Sequence, residues 1–326
     1  MSYVEYKIQQ RGNSVPNARP CPLPIVRKLD DSYVMESIND VVDFELPGPE
    51  STDPDTQWNQ VKGEPTINII DDGRWGRTSD ISHQHYPYNA CGRLFSTFNG
   101  RNYSCSASLI GKKLLMTAGH CVSPGASTEV HENIRFLPNY PKHTQAIEVD
   151  RAFIMDGWIA QGAFQYDVAI LRLREELPST GYFAVAVDVP WGAKPQAPYK
   201  HHGWWGLSYP AESPFNGQHQ ISDGGPADYA PFRWGSGHFW NHTYEAQSRN
   251  DLTGGSSGGP MLLNPSGTLP KTVILNGYNP EPNWTRLQIL NGINSFKYDR
   301  WPKTMMTPYF GSTVRNFVQD VISAII

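Results

Sequence analysis

Net charge, cysteine and long apolar runs are all scarce in this chain, and each scarcity excludes something. The formal net charge is −4, which supplies no overall positive field for phosphate, so nucleic acid is not expected as a partner. No apolar stretch approaches the length that would cross a bilayer, and a membrane is not expected either. Met1-Ser-Tyr-Val-Glu-Tyr-Lys7 carries neither the basic start nor the apolar stretch of a secretory signal. The four cysteines, Cys21, Cys91, Cys105 and Cys121, are even in number, which permits pairing without specifying it.

Glycine and proline, by contrast, are plentiful. With 29 glycines and 27 prolines in 326 residues, turns must be frequent, which favours many short strands and an all-β class. Hydrophobic content of 39% and charged content of 18% suit a soluble chain long enough for a real core. Residues 1–66 are rich in proline, among them Pro16, Pro20, Pro22 and Pro24, and read as a separate pro-region or extended arm. Alternating patterns then predict strands at Leu94–Phe98, Ser106–Ile110, Lys113–Thr117, Ile147–Ile154 and Val168–Leu173, with more at Lys271–Leu275 and Arg286–Leu290. The chain closes on a predicted helix, capped by Ser312, whose Val314, Phe317, Val318, Val321, Ile322 and Ile325 share one face. Between residues 203 and 245, Trp204, Trp205, Trp234 and Trp240 lie without clean period, as in a self-packed surface loop.

Three motifs carry chemistry. In Asp251-Leu-Thr-Gly-Gly-Ser-Ser-Gly-Gly-Pro260, Ser257 stands among four glycines, where backbone turns sharply and approaches another molecule closely. A serine hydroxyl needs a base, and Leu114-Leu-Met-Thr-Ala-Gly-His120 ends an apolar run in one. Asp167 opens another apolar run, Val168-Ala-Ile-Leu171, an awkward place for a carboxylate unless something pairs with it. The chain order is His120, Asp167, Ser257.

With Thr-Ala-Gly-His-Cys, Asp-Val-Ala-Ile-Leu and Gly-Ser-Ser-Gly-Gly-Pro in that order, the chain resembles the chymotrypsin-like serine peptidases. It resembles more closely their bacterial-type branch, which includes the glutamyl endopeptidases, in Asp251 ahead of Gly254-Gly255-Ser256-Ser257 and in the terminal Val314-Arg-Asn-Phe317. The resemblance implies two antiparallel six-stranded β-barrels over residues 67–326, a terminal helix on the second barrel, and no cofactor. It implies hydrolysis of polypeptide substrates by His120, Asp167 and Ser257, with the backbone NH groups of Gly255 and Ser257 meeting the oxyanion. It further implies a Cys105–Cys121 disulfide pinning the histidine loop, and hence export. Cys21 and Cys91 remain, and their pairing would tie the N-terminal segment to the start of the peptidase region. Ile67-Asn-Ile-Ile-Asp-Asp-Gly-Arg74 resembles the opening of the mature branch enzymes, so a processing cut is expected between Pro65 and Ile70.

The chain departs from the family at Ser256, where animal enzymes place an aspartate that pairs with a freed N-terminus. In the substrate pocket, Asp251 stands where trypsin-like enzymes bind a basic side chain. The glutamyl branch instead uses a histidine two positions before an Asn–Gly pair; with Asn276-Gly277 as that pair, the position is Ile274, and Leu252 replaces a small hydroxyl residue. A glutamate there would lack partners, so an apolar or broad preference is expected. His83-x-His85, His201-His202 and His238-x-x-x-His242 come without the thiolates or carboxylates of a zinc motif, and no metal is expected. Asn102-Tyr-Ser, Asn241-His-Thr and Asn283-Trp-Thr are glycosylation acceptors if the host glycosylates. An inactive binding protein on the same fold, or an esterase using the same three residues, remains an alternative.

Overall fold

The computed structural model describes residues 2–11, 18–26, 75–77, 86–141, 145–177, 181–187, 204–225, 227–228, 244–248, 250–263, 273–274, 289–299 and 302–325. The first half is a closed barrel. Its strands are β5 (Cys91–Phe98), β6 (Arg101–Leu109), β7 (Leu114–Thr117), β8 (Glu132–Pro138), β9 (Ile147–Met155) and β10 (Ala169–Leu173). They run in the order β9-β10-β7-β6-β5-β8, and β8 pairs with β9 to close the ring. All six neighbour pairs are antiparallel. Closure leaves only partial edges in the ring, and inward residues such as Leu94, Ala107, Leu115, Phe136, Val149 and Ile170 are fully or almost fully buried. The predicted strands of this half are all present.

The second half is a seven-stranded sheet, with no closed barrel among the described residues. It runs β17 (Val273–Ile274), β11 (Ala184–Val187), β18 (Ile289–Ile293), β16 (Pro260–Leu263), β12 (Trp204–Ser208), β13 (Ile221–Gly225), β4 (Trp75–Arg77). A smaller sheet joins β14 (Ala227–Asp228), β15 (Tyr244–Ser248) and β20 (Thr304–Pro308). Part of the tryptophan-rich stretch expected to be a surface loop is therefore strand: Trp205 is buried and its ring meets Tyr88 edge-on, centroids 5.5 Å apart. Trp234 and Trp240 lie outside the described residues.

The N-terminal segment is woven into both halves. β1 (Tyr3–Lys7) adds antiparallel to β9, β2 (Arg19–Pro20) lies parallel to β6, and β3 (Ile25–Val26) lies parallel to β19 (Lys297–Tyr298). Ile8 enters the main core, and Gln10 Nε2 donates to the carbonyls of Ile134 and Val149. Besides a short helix α1 (Asp156–Gln161), the chain ends in α2 (Ser312–Ile325). Its Val314, Phe317, Val318 and Val321 are buried as predicted. The helix touches both halves: it lies against β11 of the second-half sheet, while the Phe317 ring meets Tyr3 of β1 and Ser2 Oγ donates to Asp320 Oδ2 at 2.7 Å. Because β1 covers β9, the helix reaches the first barrel through β1 while keeping its contact with the second half. No helix among the described residues is long and apolar enough to cross a membrane.

Candidate active site

Strand β7 ends at Thr117, and a tight turn over Gly119–Cys121 presents His120. A second turn, Phe164–Tyr166, stops the chain at Asp167 just before β10. Because β7 and β10 are paired neighbours, the two turns leave the barrel side by side. Asp167 Oδ2 lies 2.8 Å from His120 Nδ1, and Asp167 Oδ1 accepts the His120 backbone NH at 2.7 Å. A third donor, Ser295 Oγ, reaches Asp167 Oδ2 at 2.5 Å. His120, Asp167 and Ser295 are all fully buried, so the carboxylate demanded by its apolar setting has its partners. The contacts fix the imidazole ring and place a proton at Nδ1, leaving Nε2 as the basic atom.

The turn that carries Ser257 hangs between the halves. Ser106 of β6 receives the carbonyl of Ser257 on its backbone NH at 2.8 Å, while its hydroxyl donates to Gly255 O at 2.9 Å and accepts from Tyr209 N at 2.8 Å. From the other side Gly258 N donates to Asn294 O, and Asn294 N to Gly259 O. Two glycines are dictated by geometry. Gly255 has φ +87°, and a Cβ there would stand 2.8 Å from Tyr209 O; at Gly258, φ +77°, it would stand 2.1 Å from Thr117 Oγ1. Ser257 Oγ and His120 Nε2 are both buried, and neither has a hydrogen-bond partner among the described residues.

What approaches that place is the chain's own N-terminal segment. Gly255 N donates to Cys21 O at 2.9 Å, Cys21 N to Ser104 O at 2.8 Å, and Lys297 N to Pro24 O at 3.0 Å. Cys21 Sγ lies within 4.8 Å of a His120 ring nitrogen and of Cys121 Sγ. Cys121 is bonded to Cys105 and has no thiolate to offer, so this trio does not make a metal site. The expected Cys105–Cys121 disulfide is present; the Cys21–Cys91 pairing is not. Both of those thiols are free and buried, Cys21 against His120 O and Cys91 against Leu207 O, and burial pushes both thiols up.

Of the expected pocket residues, Leu252 is buried in a small cluster with Ala184, Ala186, Phe215 and Met261, against which Leu23 packs. Asp251 is partly buried and its Oδ1 accepts no hydrogen bond among the described residues. Ile274 lies in β17 opposite Ala186, and Asn276 is outside the described residues. The strand that reaches Asp167 and the Ser257 turn is β18, which runs through a different Asn–Gly pair, Asn291-Gly292, into Asn294 and Ser295. Sequence reasoning missed Ser295, Ser106 and Lys297; the second Asn–Gly pair was the available signal for the first. Lys297 is buried, with Nζ donating to Asn250 O at 2.8 Å and Pro302 O at 2.9 Å. Burial lowers its pKa to about 8, against the pull of Asp251 and Asp223. The three histidine pairs considered as chelators are outside the described residues.

The comparisons agree with this architecture. The trypsin family model matches residues 76–299, more than half of the chain, and the chain belongs to that family of serine peptidases. A glutamyl endopeptidase of Bacillus licheniformis is 28% identical over 221 residues, 62% of this chain and 59% of that protein. The chain thus matches about three fifths of the length of that curated relative. Among solved structures, a thermostable serine protease from an extremophilic microorganism superposes with a TM-score of 0.55 at 25% identity, covering 72% of this chain and 97% of that one. The protease Anisep from Arthrobacter nicotinovorans gives 0.54 at 25% identity, covering 72% and 96%.

Proposed function

We propose that the chain is a serine endopeptidase in which Ser257 attacks the scissile carbonyl, His120 Nε2 takes its proton and Asp167 orients and stabilises the imidazolium. The observation that carries this reading is the doubly bonded His120–Asp167 pair beside a turn whose Gly255 NH already binds a carbonyl oxygen. That NH and the NH of Ser257 are the donors for a developing oxyanion, and the acyl-enzyme forms and hydrolyses there. No aspartate stands at Ser256, whose hydroxyl donates to Thr253 O at 2.6 Å, so activation by an ion pair between that position and a new N-terminus is not available.

For the residue preceding the cut, an apolar or broad preference is favoured. Leu252 lies in an apolar cluster, and the charge of Asp251 is answered electrostatically by the chain's own Lys297, which leaves it less able to hold an incoming Arg or Lys. The disulfide favours export, and residues 1–66 act as a pro-region. The expected processing window, 65–70, is outside the described residues.

Digestion of a denatured protein mixture by purified enzyme, beside a Ser257→Ala control, tests the proposal. Cleavage confined to the unmodified enzyme and following mainly apolar residues is the expected result. Cuts only after Glu, or only after Arg and Lys, overturn the specificity. Absence of cleavage together with failure of Ser257 to react with an active-site phosphonate moves the reading to a binding protein.

A further inference from the structure

We infer that residues 18–26 are an autoinhibitory strap lying across the catalytic cleft, with the Cys21 carbonyl holding the oxyanion-binding NH of Gly255. This rests on the catalytic reading of Ser257 and extends it to regulation. Three backbone hydrogen bonds seat the strap, one on each surface that a substrate must reach: Cys21 N to Ser104 O on the barrel rim, Gly255 N to Cys21 O on the nucleophile turn, and Lys297 N to Pro24 O on the second-half rim. The flanking strand pairs, Arg19 with Tyr103 and Ile25 with Lys297, continue the contact on both sides.

Side chains complete the seat. Cys21, 3% exposed, brings its sulfur against His120, and Leu23 packs on the apolar cluster that contains Leu252. Ile25 points away and is 59% exposed, so the strap has one face toward the cleft. Pro20 and Pro22 on either side of Cys21 restrict the backbone to extended forms, which lowers the entropy lost on seating. The outcome is visible at the reacting atoms: Ser257 and His120 are fully buried, although a peptidase must offer both to its substrate.

The strap differs from a structural strand in what its departure would expose. Its thiol is neutral while buried, and on release it returns toward the ordinary thiol range and reacts with alkylating agents. Cys91, fully buried in the barrel, should stay protected in any folded variant and so reports folding within the same sample.

The experiment compares the full chain with Leu23→Asp, following phosphonate labelling of Ser257 and iodoacetamide alkylation of Cys21 and Cys91 by peptide mass mapping. Because labelling follows the open fraction, Leu23→Asp is expected to raise the Ser257 and Cys21 rates together by about tenfold or more, with Cys91 protected. Equal Ser257 labelling in the two chains overturns the strap and leaves the triad standing, as does rapid Cys21 alkylation in the unaltered chain. Cys21 opening in the variant with no Ser257 labelling keeps the seated strap and removes the catalytic reading. Should Cys91 react in Leu23→Asp, the milder Leu23→Ala is judged by the same criteria.

Discussion

The two halves of the molecule hold their shares of the catalytic apparatus by different means. His120 and Asp167 stand on turns leaving adjacent strands of a closed barrel, so their separation is set by strand pairing before any side chain bonds. Ser257 stands on a turn of the second half, which is an open sheet among the described residues, and it is aligned by a few hydrogen bonds from Ser106 on one side and with Asn294 on the other. The barrel fixes His120 and Asp167 through topology, whereas Ser257 depends on a seam. Disturbing a seam should change activity sooner than it changes fold.

The comparison can be broken or sharpened at three places. The largest effect is expected at Phe296, which precedes Lys297 and follows Ser295. Fully buried, its ring stacks on Phe164 with centroids 4.4 Å apart, and Phe164 in turn meets Trp158 beneath the histidine turn. Phe296→Ala should cost about 3–5 kcal/mol in denaturant unfolding, because it empties a close-packed site shared by both halves. A loss below about 1 kcal/mol would show that the halves are not packed through this ring.

At the seam itself, Ser106→Ala removes the acceptor of Tyr209 N and the donor to Gly255 O. A cost of about 1–3 kcal/mol is expected, with phosphonate labelling of Ser257 slowed beyond what the lost stability explains. Unchanged labelling at full occupancy of the native state would mean that the turn holds its shape without the barrel.

The smallest effect tests the barrel alone. His131 is buried, bonded through Nδ1 to Ser96 Oγ at 2.8 Å and stacked on Phe98, and burial drives its pKa down to about 3. The unfolded chain therefore binds a proton that the folded chain refuses. Stability from this group is full above about pH 6.5 and is lost as pH falls toward 3, by about 1.4 kcal/mol at pH 5.5. His131→Phe should remove that slope from unfolding free energies measured between pH 7 and 5.5; an identical slope in both chains would assign it to other groups.

What was legible in the sequence follows the same division. Five of the six barrel strands were readable as short apolar runs, β8 (Glu132–Pro138) being the one not predicted, and His120, Asp167 and Ser257 were readable because each lies in a motif with its own local geometry. The open sheet was harder: β4 and β17 are short, and Trp204–Ser208 and Ile221–Gly225 are strands without alternation. Ser295 and Ser106 were missed because each acts across the seam, on Asp167 in one case and on Gly255 and Tyr209 in the other, and no local pattern marks a partner more than a hundred residues away. The N-terminal segment read as separate because prolines interrupt its apolar residues; nothing in that composition reveals that Cys21 meets Gly255. The Cys21–Cys91 pairing failed for a related reason, since parity says nothing about place.

The ladder between β1 and β9, five residues long from Tyr3 opposite Met155 to Lys7 opposite Arg151, gives the molecule a kind of memory. A cut anywhere in residues 27–74 would turn one chain into two, yet the N-terminal fragment would stay docked through this ladder and through Ile8 in the core. Before the cut, the strap competes with substrate as an intramolecular ligand at an effective concentration on the order of millimolar; after it, retention depends on dilution. A freshly nicked sample at high concentration should therefore remain quiet, and the same sample diluted should wake slowly, at the rate at which a β-strand leaves the edge of a barrel.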